Sequence, residues 1–196
     1  MQTPPKTIPT RKISSASLRY IECMLGRPEK SEAAEYFFTY INQVPGDNAL
    51  AVLRSQIEPW PALFDAISEK QSLQRYAPGK WSMREVLNHI TDTERAFAYR
   101  ALWFSRGFDT PLPSYDQDTG VAGAGADNVA WARHVEEFRR VRLATISLFE
   151  NMPEEGWMRG GVAGGNFVTV RALSFILAGH FAHHCRILRE RYLGNG

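Results

Sequence analysis

A serine three residues ahead of a glutamate opens the longest regular stretch of this chain. In Ser82-Met83-Arg84-Glu85 the hydroxyl and the carboxylate can each cover a backbone N–H that a helix start leaves without a partner. Behind this box Met83, Val86, Leu87, Ile90, Phe97, Ala101 and Phe104 recur at helical spacing, and Gly107 ends the run near Arg106. A long helix with one apolar stripe must bury that stripe against other elements. Little else in the chain alternates as a strand would, so the partners are expected to be helices.

Those partners can be read along the chain. Ser31 to Val44 reads as a short helix stopped by Pro45-Gly46. Asp47 is placed to cap a second helix to about Ser68, with a kink or a break near Pro59-Trp60-Pro61. Residues 107–126, rich in Gly, Pro and Asp, read as a long loop. Asp127 is placed to cap a further helix to about Asn151. Thr169 is placed to cap the last one, which runs to about Leu193 and stops at Gly194. Tyr76–Trp81 and the Gly-rich stretch before Thr169 are the candidates for extended chain. The expected fold is all-α: a four-helix bundle with a short extra N-terminal helix and a long loop between the second and third bundle helices. The expected domain division is an N-terminal extension over 1–26 and one bundle over 27–196.

Composition limits what such a bundle does. Lys and Arg number 23 against 21 Asp and Glu, a net charge of +2 with the signs interspersed. That gives no electrostatic case for nucleic acid or an anionic membrane as partner. No apolar run approaches the roughly 18 residues of a membrane span. The two cysteines, Cys23 and Cys185, make no disulfide framework and suit a reducing cytoplasm. The N-terminus carries Lys6, Arg11, Lys12 and Arg19 and no acid before Glu22. It reads as a loosely docked tail, with an organellar transit peptide as the rival.

The chemistry lies in the histidines. GHFAHHCRIL (Gly179 to Leu188) holds three of the five. Leu173, Ile176, Leu177, His180, His184, Ile187 and Leu188 share one stripe, so two imidazoles fall on the face that ought to be core. Residues i and i+4 are neighbours, so His180 and His184 can converge on one ion. His183, at i+3, is a rival to His184. A third ligand must come from another helix, and His89 shares the inward side of its helix with Val86, Ile90 and Phe97. If the two helices run antiparallel, His89 and His184 lie about 10 and about 14 Å from the same end; a parallel pair matches less well. The rival reading of each histidine is a core residue satisfied by hydrogen bonds. His134, among charges in ARHVEEF, is expected to be solvated.

Lys80 to Gly107, followed by the long loop and then by AGHFAHHCRILRERYL (Ala178 to Leu193), resembles the DinB/YfiT-like superfamily of metal-dependent enzymes. The likeness extends upstream over RPEKSEAAEYFFTYINQVPGDNAL and covers about Arg27 to Leu193. It implies a four-helix bundle, often dimeric, holding one divalent ion. The ligands it implies are His89, from W-S-x-x-E-V-L-x-H, and His180 and His184, from H-x-x-x-H, with His183 as a neighbour. The chain departs from the family pattern in YDQDTGVAGAGAD, where Gly and Ala stand in place of bulkier residues, which implies an open pocket mouth.

The expected function is hydrolysis of a small molecule by metal-bound water. The alternatives are transfer or isomerisation with a metal-bound low-molecular-weight thiol, and a bundle that binds metal or small molecules without turnover. Zn, Ni, Mn and Fe all suit such a site. Asp92 and Thr93, one turn from His89, are candidates to line or support the pocket. Glu94 falls near the apolar stripe and needs a partner if buried. Arg95, Arg100 or Arg171 are the candidates, and a structural ion pair is the expected role. Cys185 points away from His184 and is expected to be inert.

Overall fold

The computed structural model describes residues 26–58 and 62–194. The N-terminal tail, Cys23 and the kink or break expected near Pro59-Trp60-Pro61 lie outside them. Eight α-helices and one hairpin form the described chain. They are α1 (Phe38–Ile41), α2 (Ala49–Ser55), α3 (Ala62–Asp65), α4 (Met83–Ser105), α5 (Gln117–Ala124), α6 (Trp131–Glu150), α7 (Glu154–Met158) and α8 (Val170–Ile187). The antiparallel hairpin pairs β1 (Gly160–Ala163) with β2 (Asn166–Thr169) just ahead of α8. The bundle is a ring in which α4 packs on α6 and α8, and α2 packs on the same two helices from the other side.

Local chemistry sets the long helices. Ser82 Oγ accepts from Glu85 N at 3.1 Å, and Glu85 Oε2 accepts from Ser82 N at 2.7 Å, so the capping box is complete. Thr169 caps α8 by accepting from Ala172 N at 3.1 Å. The other two expected caps are corrected. Asn48, not Asp47, caps α2, accepting from Ala51 N at 2.9 Å. At α6 the capping oxygen is Glu69 Oε2, 2.9 Å from Trp131 N. Asp127 is drawn instead to Ser82 Oγ at 2.5 Å and Arg75 Nη2 at 2.9 Å.

Two stretches differ from the expected pattern. Ser31–Val44 is not one helix: it holds 3-10 turns at Lys30–Glu32 and Glu35–Phe37 before the single turn of α1. Its Glu32 carboxylate is claimed by Thr169 Oγ1 at 2.8 Å and by Arg171, and Ala33 is extended and bridges Val168 of the hairpin. Those tertiary partners outweigh local helix propensity. The 107–126 loop contains α5, capped by Asp116, which accepts from Thr119 N at 2.8 Å, and closed by Gly125 at φ 60°. Gly120 lets the Tyr115 ring lie against that helix, because an added Cβ would sit 2.5 Å from its hydroxyl.

The relative direction of α4 and α8 follows from their ends. Tyr192 Oη, beyond the C-terminus of α8, donates to Trp81 O at 2.6 Å, just ahead of α4. At the opposite end Arg159 Nη1 donates to Ser105 O at 2.7 Å, while Arg159 O accepts from Val170 N at 2.9 Å. The two helices therefore run antiparallel. A buried polar network ties the bundle together at mid-height. Arg142 of α6 meets Glu94 of α4 through Nε–Oε1 at 2.7 Å and Nη2–Oε2 at 2.9 Å. Its Nη1 donates to Gln56 Oε1 at 2.5 Å, and Gln56 Nε2 donates to Ala178 O of α8 at 2.7 Å. Glu94 is thus in a structural ion pair, as expected, but its partner is Arg142 rather than Arg95, Arg100 or Arg171.

Candidate metal centre

Helix period and the antiparallel pairing bring three imidazoles together. His89, His180 and His184 are 3, 5 and 8% exposed. His180 Nε2 lies 3.1 Å from His89 Nε2 and 3.1 Å from His184 Nε2. One nitrogen from each ring falls within 4.8 Å of the others, and they form the one such cluster of three or more His, Cys or acidic groups among the described residues. Burial depresses the His89 pKa to about 4. Burial, then the neighbouring imidazoles, push His180 and His184 well below the ordinary value. All three rings are neutral at pH 7, the form that donates a lone pair to a metal.

The surroundings hold the rings in place. Trp81 packs on His89 with ring centroids 5.0 Å apart. Thr93 Oγ1 is 3.5 Å from His89 Nδ1. Tyr40 stands edge-on to His180 at 5.3 Å and to His183 at 5.4 Å. Its phenol pairs with Tyr36 Oη at 2.8 Å, and burial raises its pKa, so it keeps its proton at neutral pH. α8 approaches Tyr40 closely because residue 179 is glycine: an added Cβ would lie 2.0 Å from Tyr40 O. Nδ1 of His184 has no hydrogen-bond partner among the described residues.

Two cavities flank the cluster. One, of about 490 Å³, is lined by His89 and His180 together with Tyr36, Tyr40, Thr93, Phe97, Arg100, Tyr115, Asp116 and Asn166. The other, of about 320 Å³, is lined by His184, Trp81, Tyr192 and Asp118. The loop expected to leave the mouth open instead supplies wall residues to both, from α5 and the turn before it.

Of the remaining sequence candidates, Thr93 lies on the wall of the larger cavity. Asp92 is off that wall and paired with Arg95 Nη1 at 3.1 Å. His183 is half-buried beside the cluster, its Nδ1 3.4 Å from both Gln43 Nε2 and Arg186 Nη2. His134 is a correction: it is 3% exposed and donates from Nε2 to Ala126 O at 2.9 Å. It lies one turn before Phe138 on the buried stripe of α6, a phase its charged neighbours in sequence disguised. Cys185 is buried, with its thiol pKa pushed up to about 12. No local signal in the sequence marks Tyr40 as a wall residue, and Arg100 offers itself there only as a partner for Glu94.

The DinB superfamily profile matches residues 53–188, more than half of the chain. This chain belongs to the DinB superfamily. Two solved structures share the DinB fold seen here. YfiT from Bacillus subtilis, described as a probable metal-dependent hydrolase with an unusual four-helix bundle topology, aligns with TM-score 0.57 at 16% identity, over 83% of this chain and 91% of that one. A mycothiol-dependent maleylpyruvate isomerase aligns with TM-score 0.60 at 12% identity, over 70% of this chain and 58% of that one. No curated protein matches the sequence. No helix among the described residues is long and apolar enough to cross a membrane.

Proposed function

We propose that His89, His180 and His184 hold one divalent metal ion and that this DinB-superfamily chain hydrolyses a small molecule bound in the larger cavity. The observation that carries the reading is the double contact at His180 Nε2. A neutral imidazole nitrogen is either a donor or an acceptor. It can satisfy one partner at 3.1 Å but not two. A shared cation answers all three lone pairs at once, and donors about 2.0–2.1 Å from one ion stand about 2.9–3.4 Å apart. When bound, such an ion supplies a Lewis acid and lowers the pKa of a water in contact with it toward about 7. Imidazole donors do not choose among Zn, Ni, Mn and Fe.

The chain's own groups do the rest. Thr93 helps to fix the His89 ring. Tyr40 keeps its phenolic proton, and with Tyr36 as the donor in the Tyr36–Tyr40 pair that proton is free for an oxygen of the bound molecule. Asp116, the carboxylate on the cavity wall, caps α5 through Oδ1, and that hydrogen bond holds its carboxyl below the ordinary range, which makes it a weak base. A second reading, thiol-dependent transfer or isomerisation, draws on the smaller cavity beside His184, which gives a second reactant its own approach.

The experiment has two parts. Replacing any of His89, His180 and His184 with Ala should sharply lower metal content at neutral pH. Stoichiometric metal in all three variants would mean that the ion, if any, sits elsewhere. The metal-loaded protein is then offered activated esters and amides, and separately electrophiles with each common low-molecular-weight thiol. Turnover only in the presence of a thiol replaces the hydrolase reading with the second one. Silence in both panels leaves a metal-binding bundle without catalysis.

A further inference from the structure

Arg100 is 7% exposed, yet no carboxylate partners it among the described residues. Its one hydrogen bond runs from Nη2 to Pro113 O at 3.1 Å, and its guanidinium lies over the Phe97 ring at 4.7 Å. Every other buried arginine among the described residues has an acid within reach: Arg84 has Glu69, and Arg142 has Glu94. Guanidinium presents five N–H donors in a planar fork. Arg100 lines the larger cavity, and none of its nitrogens is shut in protein without a partner, so its spare donors are open to that space. A buried cation without a counter-charge is costly unless something supplies one.

We infer that Arg100 is the anion anchor of the larger cavity and that the molecule bound there is a small carboxylic acid. This deepens the functional reading above by naming a substrate class for the same site. Arg100 is the one arginine or lysine among the described lining residues, and it keeps donors to spare for a carboxylate. Its fork matches the two oxygens of a carboxylate. Phe97 and the nearby tyrosines give the rest of the ligand an apolar wall. Asp116 also reaches the wall, but its carboxylate points its hydrogen-bonding at the start of α5.

The helix sets where the anion sits relative to the imidazoles. His89, Thr93, Phe97 and Arg100 follow i, i+4, i+8 and i+11, which is one face of α4. The ends of that row are about 16 Å apart along the axis, and the arginine stem leans back toward the helix N-terminus and shortens the gap. The reacting group of the acid must therefore lie several bonds from its carboxylate.

The test is binding to the full chain, read by calorimetry, with 4-phenylbutyrate and its neutral amide as probes. It is run on protein stripped of metal and again on metal-loaded protein, with metal content measured independently. Wild type should prefer the carboxylate about tenfold or more in both states. Arg100→Gln should abolish the preference while keeping its metal, and Arg100→Lys should keep part of it. Equal binding of acid and amide, no saturable binding of the acid at millimolar concentration, or an Arg100→Gln variant that still prefers the acid would each overturn the inference. A preference present only in metal-loaded protein would place the carboxylate on the ion and also overturn it. A phosphonate analogue that outcompetes the acid would replace the proposed class. Loss of metal binding by the histidine variants, with the acid still held by Arg100, separates the two proposals.

Discussion

At the scale of single residues, three buried imidazoles make the metal-free protein sensitive to acid. Their folded pKa values lie below the ordinary 6.5, to about 4 for His89. Between those limits the unfolded chain takes up protons that the folded chain refuses, so stability falls as pH drops from about 6.5 toward about 4. Each fully shifted imidazole contributes a slope of up to about 1.4 kcal/mol per pH unit. Denaturation midpoints of chelator-treated protein should decline across this window and decline less for His180→Gln. Equal slopes for the two proteins would mean that the His180 ring takes up a proton as readily in the folded state as in the unfolded one. Helical phase alone puts His89 and His180 on buried faces; it leaves His183 open beside His184, and only the family resemblance favours His184, the more deeply buried of the two. Tyr40 and Arg100 were not legible: each owes its role to a wall built from distant segments, and phase says nothing about which cavity a face borders.

At the scale of elements, the Glu94–Arg142–Gln56–Ala178 network joins α4, α6, α2 and α8 at one level. Removing one charge of a buried pair leaves the other without compensation. Glu94→Gln should therefore cost about 3–5 kcal/mol, whereas the apolar pair Glu94→Leu with Arg142→Met should cost less than the single change. Chemical denaturation of both variants checks this, and a double variant less stable than Glu94→Gln would refute it. The long helices were legible in their stripes, and α4 and α8 also in their caps, Ser82–Glu85 above all, whereas the oxygen that caps α6 comes from Glu69, 62 residues upstream. The short ones were not. Ser31–Val44 looks helical by pattern, but Glu32 is bound to Arg171, 139 residues away, and that pairing has no local signature. Helix α5 was hidden for the opposite reason, since its four alanines and glycines carry no period to read.

At the scale of the whole molecule, the bundle is pinned from Arg27 onward. Its guanidinium donates to Ile41 O at 2.7 Å, Val44 O at 2.8 Å and Gly46 O at 2.6 Å, and it lies over Phe175 of α8. A chain beginning at Arg27 should keep its helicity and metal content by circular dichroism and elemental analysis, whereas Arg27→Ala should lower the melting temperature. Collapse of the truncated chain would make residues 1–26 part of the fold. The imidazole cluster has a consequence for how the protein is made. His89 and His180 are 91 residues apart. At roughly 5–20 residues per second the ribosome takes about 5–20 s to pass from one to the other. Through that lag a nascent chain has only the first of the three imidazoles. On the proposed reading, loading would follow synthesis, when α8 closes the ring, and the ion captured would be set by what the compartment offers at that moment.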